Sequence, residues 1–197
     1  MRKSEQFCVS FAELTPARGA PPRSWKFIYE WLDSLVFAFI TILLVFTFAF
    51  RVVGVSGESM VPTLQNGDWL AVRAVNTAID RGDIVVITQP NSLNEPLIKR
   101  VIAVGGDELD IDFAAGTVYV NGEALDEPYI AEATRRQFDV AFPLTVPEGF
   151  LFVMGDNRNN SLDSRSSTIG FIDERYVLGV AEFRFFPFGN WEIDQSA

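Results

Sequence analysis

The chain has 197 residues, 48% of them hydrophobic, and this length suits one globular domain together with one membrane segment. Its 16 Lys and Arg are outnumbered by 26 Asp and Glu, a balance that argues against nucleic acid as a partner. It has no histidine and a single cysteine, Cys8, so neither a Ser-His-Asp triad nor an internal disulfide can form. Without clusters of His or Cys, we expect no metal site and no cofactor.

Residues 1–27 carry scattered charge and three prolines without apolar periodicity, which predicts a flexible N-terminal tail. Cys8 lies in this tail, a position that argues against a catalytic thiol. From Ser34 to Phe50 no charged residue occurs. With apolar flanks this run approaches the ~30 Å of a bilayer core, so we predict a transmembrane helix over 28–53. The alternatives are a buried core helix and a cleaved secretory signal, which fits poorly behind a long tail containing acidic residues.

The orientation of this helix is predicted from the basic residues that precede it. These are Arg2, Lys3, Arg18, Arg23 and Lys26, and positive residues remain on the cytoplasmic side of a membrane. We therefore expect a single-pass protein of the plasma or inner membrane. Its N-terminus would be cytoplasmic, and residues 54–197 would form an extracytoplasmic domain.

The sequence of this domain predicts mainly β structure. Short apolar runs are separated by Gly, Pro and Asp, and no long amphipathic helical pattern occurs. Asn121-Gly122 behind Thr117–Val120 is a strong hairpin-turn signal. The pattern predicts an antiparallel β-sheet or barrel-like domain.

A serine stands in an irregular segment soon after the apolar run. Gly57 can adopt backbone conformations closed to other residues, and Pro62 fixes its own φ. Ser59 between them is presented on exposed, non-regular backbone, as nucleophiles often are. A serine nucleophile also needs a base.

Lys99 is the only lysine after the membrane segment. It lies in a predicted strand, where it shares a face with Leu97 and Val101. An apolar face disfavours the charged ammonium and lowers its pKa, and a neutral amine can accept the proton of a serine hydroxyl. The alternative is that Ser59 is a turn residue and that Lys99 extends to water.

Further motifs accompany these two residues. In chain order, the set is Gly57-x-Ser59-Met60-x-Pro62-Thr63-Leu64, Gly82-Asp83, Lys99-Arg100 and the polar run Gly155–Arg165. With the upstream membrane segment, the set closely resembles type I signal peptidases in both order and spacing.

The resemblance implies an acyl-transfer mechanism with Ser59 as nucleophile and Lys99 as general base. It assigns the backbone N–H of Ser59 to the oxyanion hole. In some members a serine hydroxyl two residues before the nucleophile adds a second donor, and here that position is Gly57. Ser161 matches a serine that hydrogen-bonds and orients the lysine.

The resemblance also implies structural roles in the last motif. Asp163 and Arg165 match an ion pair that supports the loop, whereas Asp156 and Arg158 are expected to be structural rather than catalytic. Residues 107–149 correspond to a small β subdomain inserted between the lysine and the last motif.

The implied substrates are signal peptides of exported preproteins, cut after a small-x-small sequence, with membrane lipid as a second partner near the aromatic segment 185–191. Alternatives are a pilus- or conjugation-type processing peptidase of the same superfamily and a non-enzymatic, membrane-tethered binding module. A self-cleaving Ser-Lys repressor would carry a DNA-binding head in place of the membrane segment.

Overall fold

The computed structural model describes residues 23–74, 78–90, 95–189 and 191–193. The chain divides into two units, residues 1–44 and 45–197. Most of the predicted tail, including Cys8, lies outside the described residues. Residues 23–27, predicted as tail, already belong to a helix.

The helix α1 spans Arg23–Ala49, and its 27 residues correspond to about 40 Å. Its segment Phe27–Leu44 is long and apolar enough to cross a membrane by length and composition. The predicted end at residue 53 is wrong, because Phe50–Gly54 forms strand β1. This strand contains two β-branched valines and pairs with the strand at Trp69–Arg73, so pairing overrides the continuing apolar pattern.

Eleven strands follow α1 in the described part of the chain. They are β1 (Phe50–Gly54), β2 (Trp69–Arg73), β3 (Ile84–Ile87), β4 (Leu97–Val104), β5 (Glu108–Asp112), β6 (Thr117–Val120), β7 (Glu123–Ala124), β8 (Leu144–Thr145), β9 (Phe150–Met154), β10 (Ile172–Asp173) and β11 (Val177–Phe186). Seven form a sheet in the order β1-β2-β11-β3-β4-β9-β10, and β5–β8 form a second sheet in the order β7-β6-β5-β8. Every pair is antiparallel, which confirms the prediction of a mainly β fold.

The small sheet comes entirely from the segment 107–149, which lies between β4 and β9 in the chain. Its β6–β7 hairpin turns at Asn121-Gly122, where both residues have positive φ (54° and 81°). The predicted hairpin turn is therefore confirmed.

Strand β4 is an interior strand of the large sheet, between β3 and β9. Leu97 and Val101 pack in one apolar cluster, whereas Ile98 packs against another cluster that contains Met60. The two faces of β4 are therefore both covered, and a polar residue on this strand is held in the interior of the domain.

Candidate active site

Ser59 lies in the loop between β1 and β2. Gly57 has φ of +90°, a conformation that favours glycine, and its N–H donates to Asn66 Oδ1 at 3.0 Å. The N–H of Val61 donates to the carbonyl of Glu58 at 3.2 Å. The loop is thereby folded into a fixed turn with Ser59 half-buried.

The structure brings Ser59 and Lys99 together. Lys99 Nζ lies 2.8 Å from Ser59 Oγ and also donates to the carbonyl of Ile98 at 3.0 Å. This is the separation required for a proton to pass between hydroxyl and amine. The interpretation of Ser59 as an ordinary turn residue and Lys99 as a surface lysine does not fit this geometry.

Lys99 is 3% exposed, on the face of β4 that carries Leu97 and Val101. Burial lowers the pKa of its amine to about 8, while the carboxylates of Asp163 and Asp156 act in the opposite direction. About one tenth of such amines are neutral at pH 7. The site can therefore supply a base close to neutral pH.

Asp156 connects the segments that carry the two residues. Arg100, next to Lys99 in the chain, donates to both carboxylate oxygens of Asp156 at 2.9 and 2.8 Å, and neither side chain is exposed. Thr63, from the Ser59 loop, donates to the same carboxylate at 2.5 Å. Arg100 also donates to the carbonyl of Gly82 at 3.0 Å. The buried Arg100–Asp156 pair thus joins residues from all four motifs.

The predicted ion pair of Asp163 and Arg165 is present and fully buried, with contacts of 2.8 and 2.9 Å. Asp163 also accepts the N–H of Gly155 at 3.1 Å, and Arg165 donates to the carbonyl of Arg158 at 2.7 Å. Removing one member of a buried pair costs about 3–5 kcal/mol, against at most about 1 kcal/mol for an exposed pair. This pair therefore fixes the shape of the loop.

Arg158 has a structural partner that the sequence analysis missed. Its guanidinium donates to both oxygens of Glu127 at 2.9 and 2.5 Å and to Thr134 Oγ1 at 2.9 Å. Tyr129 donates to the same Glu127 at 3.1 Å. A buried arginine requires a carboxylate partner, but nothing in local spacing identified one 31 residues earlier in the chain.

The segment after β9 packs directly on the Ser59 loop. Asn157 donates its backbone N–H to the carbonyl of Ser59 at 3.0 Å and its amide to the carbonyl of Glu58 at 3.1 Å. A Cβ at Gly155 would collide with the Ser161 side chain and the Ser59 carbonyl, so only glycine fits there. Ser161 Oγ is buried and makes no hydrogen bond within the described part of the chain. Its role in orienting Lys99 stays a prediction.

Two backbone donors bear on the predicted oxyanion hole. The N–H of Gly57 is occupied by Asn66, and Gly57 brings no side chain. The N–H of Ser59 makes no hydrogen bond to any residue that the structure describes. Ser59 therefore keeps an unoccupied donor beside its own hydroxyl.

A cleft of about 450 Å³ opens on Ser59 and Lys99. It is lined by residues 53–57, which include the end of β1, and by residues 95–98, which include the start of β4. The side chains of Val53, Met60, Leu97 and Ile98 make much of its lining apolar. This volume and this lining are those of a ligand-binding cleft.

Comparison with known proteins identifies the family. Residues 28–186 match the model of signal peptidase, peptidase S26. The chain is 39% identical to a signal peptidase I of Bacillus licheniformis (83% of this chain, 91% of that protein) and 35% identical to signal peptidase IB of Staphylococcus aureus strain COL (85% and 94%). A probable signal peptidase I-1 of Synechocystis is 37% identical (86% and 88%).

A crystal structure of a signal peptidase I from Enterococcus faecalis V583 is 33% identical, with a TM-score of 0.45 over 53% of this chain and 97% of the other. The family match covers most of the described residues and includes all the motifs singled out above. The prediction of a hydrolase is confirmed. The chain belongs to the signal peptidases of peptidase family S26.

Proposed function

We propose that this protein is a membrane-anchored serine endopeptidase that removes N-terminal signal peptides from exported preproteins with a Ser-Lys dyad. The observation that carries the proposal is the 2.8 Å contact between Ser59 Oγ and the buried amine of Lys99. The membrane anchor is α1, with the basic N-terminal segment on the cytoplasmic side and the β domain on the other.

The reaction proceeds by acyl transfer. Neutral Lys99 takes the proton from Ser59 as Oγ attacks the scissile carbonyl, and the resulting ammonium returns a proton to the leaving amine. This step forms an ester between Ser59 and the signal peptide. Lys99 then takes a proton from a water molecule as this water attacks the ester. The ester bond breaks, the signal peptide leaves, and the ammonium returns the proton to Ser59 Oγ.

The unoccupied N–H of Ser59 would hold the developing oxyanion, and a donor of this kind is worth about 10²–10³ in rate. Gly57 supplies no second donor in this geometry, because Asn66 occupies its N–H. A second hydrogen-bond donor to the oxyanion would then require a small movement of the turn when substrate binds. Ser161, buried beside Ser59, is proposed to orient the Lys99 amine.

The substrate would bind as an extended segment in the cleft. Within the described chain, β1 pairs only with β2, so its other edge is available to a peptide backbone. An extended segment between β1 and the start of β4 would present alternate side chains to the cleft wall. The apolar lining around Ser59 favours small uncharged residues there.

The specificity is tested with the full chain in detergent and lipid. The test substrate is a preprotein with alanine at the last and at the third-last position before the cleavage point. We expect it to be cut once, at the end of its signal peptide. The measurement is mass spectrometry of the released protein. Its matched control carries tryptophan as the last residue before that point, and we expect no cleavage of this control. Cutting of both substrates at equal rates would contradict the proposal.

An exposed aromatic patch, defined as Trp69, Phe186, Phe188 and Trp191, is proposed to contact membrane lipid. The four side chains are 46%, 47%, 76% and 53% exposed. Phe186 pairs with Trp69 across the β11–β2 ladder, and the rings of Phe188 and Trp191 lie 6.3 Å apart. Tryptophan and phenylalanine at such a density favour the membrane interface. The adjoining strand β1 follows α1 directly in the chain.

Trp191 should therefore be quenched by phospholipid brominated on its acyl chains. The fluorescence of Trp191 is obtained as the difference between the parent and Trp191→Phe, both reconstituted as full chains. The matched control is Tyr176→Trp, since Tyr176 is 42% exposed and precedes the opposite end of β11, about 30 Å away. Equal quenching of the two tryptophans would contradict contact of the patch with lipid.

A further inference from the structure

Tyr129 is buried against Arg100, the neighbour of Lys99 in the chain. It is 3% exposed, and the Cζ atom of Arg100 lies 3.8 Å from the centroid of its ring. Arg158 approaches the same ring at 5.9 Å. The phenol therefore lies against two buried guanidinium groups and donates to the carboxylate of Glu127. None of the four motifs includes it.

On its other side, Tyr129 lines a surface pocket of about 470 Å³ together with Pro62 and Thr63. Thr63 is the residue that donates to Asp156, and Asp156 is bound by Arg100. Among the described residues, the ring of Tyr129 and the side chain of Thr63 lie both on this pocket and on the buried Arg100–Asp156 pair. The aromatic face also attracts the guanidinium, and this attraction is stronger in a desolvated site.

We propose that Tyr129 is a positioning residue for the proposed base: its ring, packed on Arg100, keeps water from the Arg100–Asp156 pair and so preserves the dry surroundings of the Lys99 amine. This role presupposes the proposed function of Lys99 as general base. Tyr129 itself does not titrate in the working range, because burial raises the pKa of its hydroxyl well above the ordinary value.

The charged groups around the amine come from several elements. Among the described residues they are Asp156, Asp163, Arg100, Arg165, Glu58 and Glu95. The two aspartates act on Lys99 and are each paired with an arginine, whereas the two glutamates are exposed to solvent.

Loss of the ring would favour the ammonium form of Lys99 in two ways. Water entering from the surface pocket would reduce the desolvation of the amine. Arg100, without its aromatic contact, would be hydrated and would neutralise Asp156 less completely. Both changes raise the pKa of Lys99, so the active, neutral form would be reached only at higher pH.

The test is the pH dependence of kcat/KM for a peptide substrate, measured on the full chain in detergent from about pH 6 to about pH 10. For Tyr129→Leu we expect the rising limb to move up by about one pH unit, so that kcat/KM at pH 7 falls about tenfold while the high-pH plateau changes less than about twofold. Tyr129→Phe keeps the ring and loses only the hydroxyl, and its limb should stay at the parent position. Tyr119→Leu, on β6 of the small sheet, is the matched control and should also leave the limb in place.

A limb that stays in place in Tyr129→Leu would overturn the role of Tyr129, even if the rate falls at every pH. A limb that moves as far in Tyr129→Phe as in Tyr129→Leu would overturn it too, because the hydroxyl would then be the active feature. If thermal denaturation shows that Tyr129→Leu is unfolded, Tyr129→Met takes its place under the same criteria. Failure of the proposed function is distinct, since Lys99→Arg would then keep the parent rate.

Discussion

Replacing Ser59 by alanine is expected to lower the rate of preprotein cleavage by about 10⁴-fold or more, since no nucleophile remains to form the acyl-enzyme. The fold should be unaffected. Among the residues that the structure describes, the side-chain partner of the hydroxyl is Lys99, and that amine keeps its contact with the carbonyl of Ile98. Cleavage is measured by gel or mass spectrometry on the full chain in lipid, with thermal denaturation of the same samples.

The matched control for this variant is Ser167→Ala. Ser167 is exposed, and its hydroxyl bonds to Asp139. Its removal should leave the rate within about twofold, as is usual for surface positions. Residual turnover of Ser59→Ala above about a hundredth of the parent rate would remove Ser59 from the mechanism. An unfolded Ser59→Ala protein would contradict the structural part of the expectation.

Lys99→Arg is expected to be as inactive as Ser59→Ala. A guanidinium stays protonated throughout the working range, so it cannot accept the proton of Ser59. In the parent, kcat/KM should rise with pH through one ionisation near pH 8, the value set by burial of the amine, and should fall as acid protonates it. An unperturbed lysine would place this limb near about pH 10.4.

The pH–rate profile of the parent and the rate of Lys99→Arg are measured with the same peptide substrate. Lys99→Met, which keeps the length of the side chain but carries no amine, is the matched variant and should also be inactive. A rising limb that appears only near pH 10 would show an unperturbed lysine. Activity retained in Lys99→Arg would show that Lys99 is not the base.

Ser59 and Lys99 could be singled out from the sequence because their signals are local. A glycine and a proline around Ser59 indicate a presented turn, and the single lysine of the β domain leaves no competing base. Asn121-Gly122 likewise encodes its own hairpin turn. The end of α1 was not predictable in this way, because Val52 and Val53 continue the apolar pattern beyond Arg51 and this segment leaves the helix by pairing with β2.

The contacts that hold the site are long-range and gave no such signal. Thr63 and Asp156 meet across 93 positions of the chain, and Arg158 and Glu127 across 31. From the sequence alone, charged residues such as these are predicted to lie on the surface, whereas the fold buries them. The hydrogen bond from Ser161 to Lys99, expected from resemblance, is not formed in this structure, where Ser161 Oγ has no partner among the described residues.

Burial of Lys99 also carries a cost in folding free energy. The pKa of the amine is near 10.5 in the unfolded chain and about 8 in the folded one, so between these values the unfolded state binds more protons. The free energy of unfolding is therefore lowered by about 3 kcal/mol at neutral pH and recovers as the pH rises from 8 toward 10.5. The buried pairs Arg100–Asp156 and Asp163–Arg165 surround the residue that carries this cost. The chain thus keeps a destabilising residue inside its large sheet, because the burial that would make the amine available as a base also disfavours the ammonium that the unfolded chain carries at neutral pH.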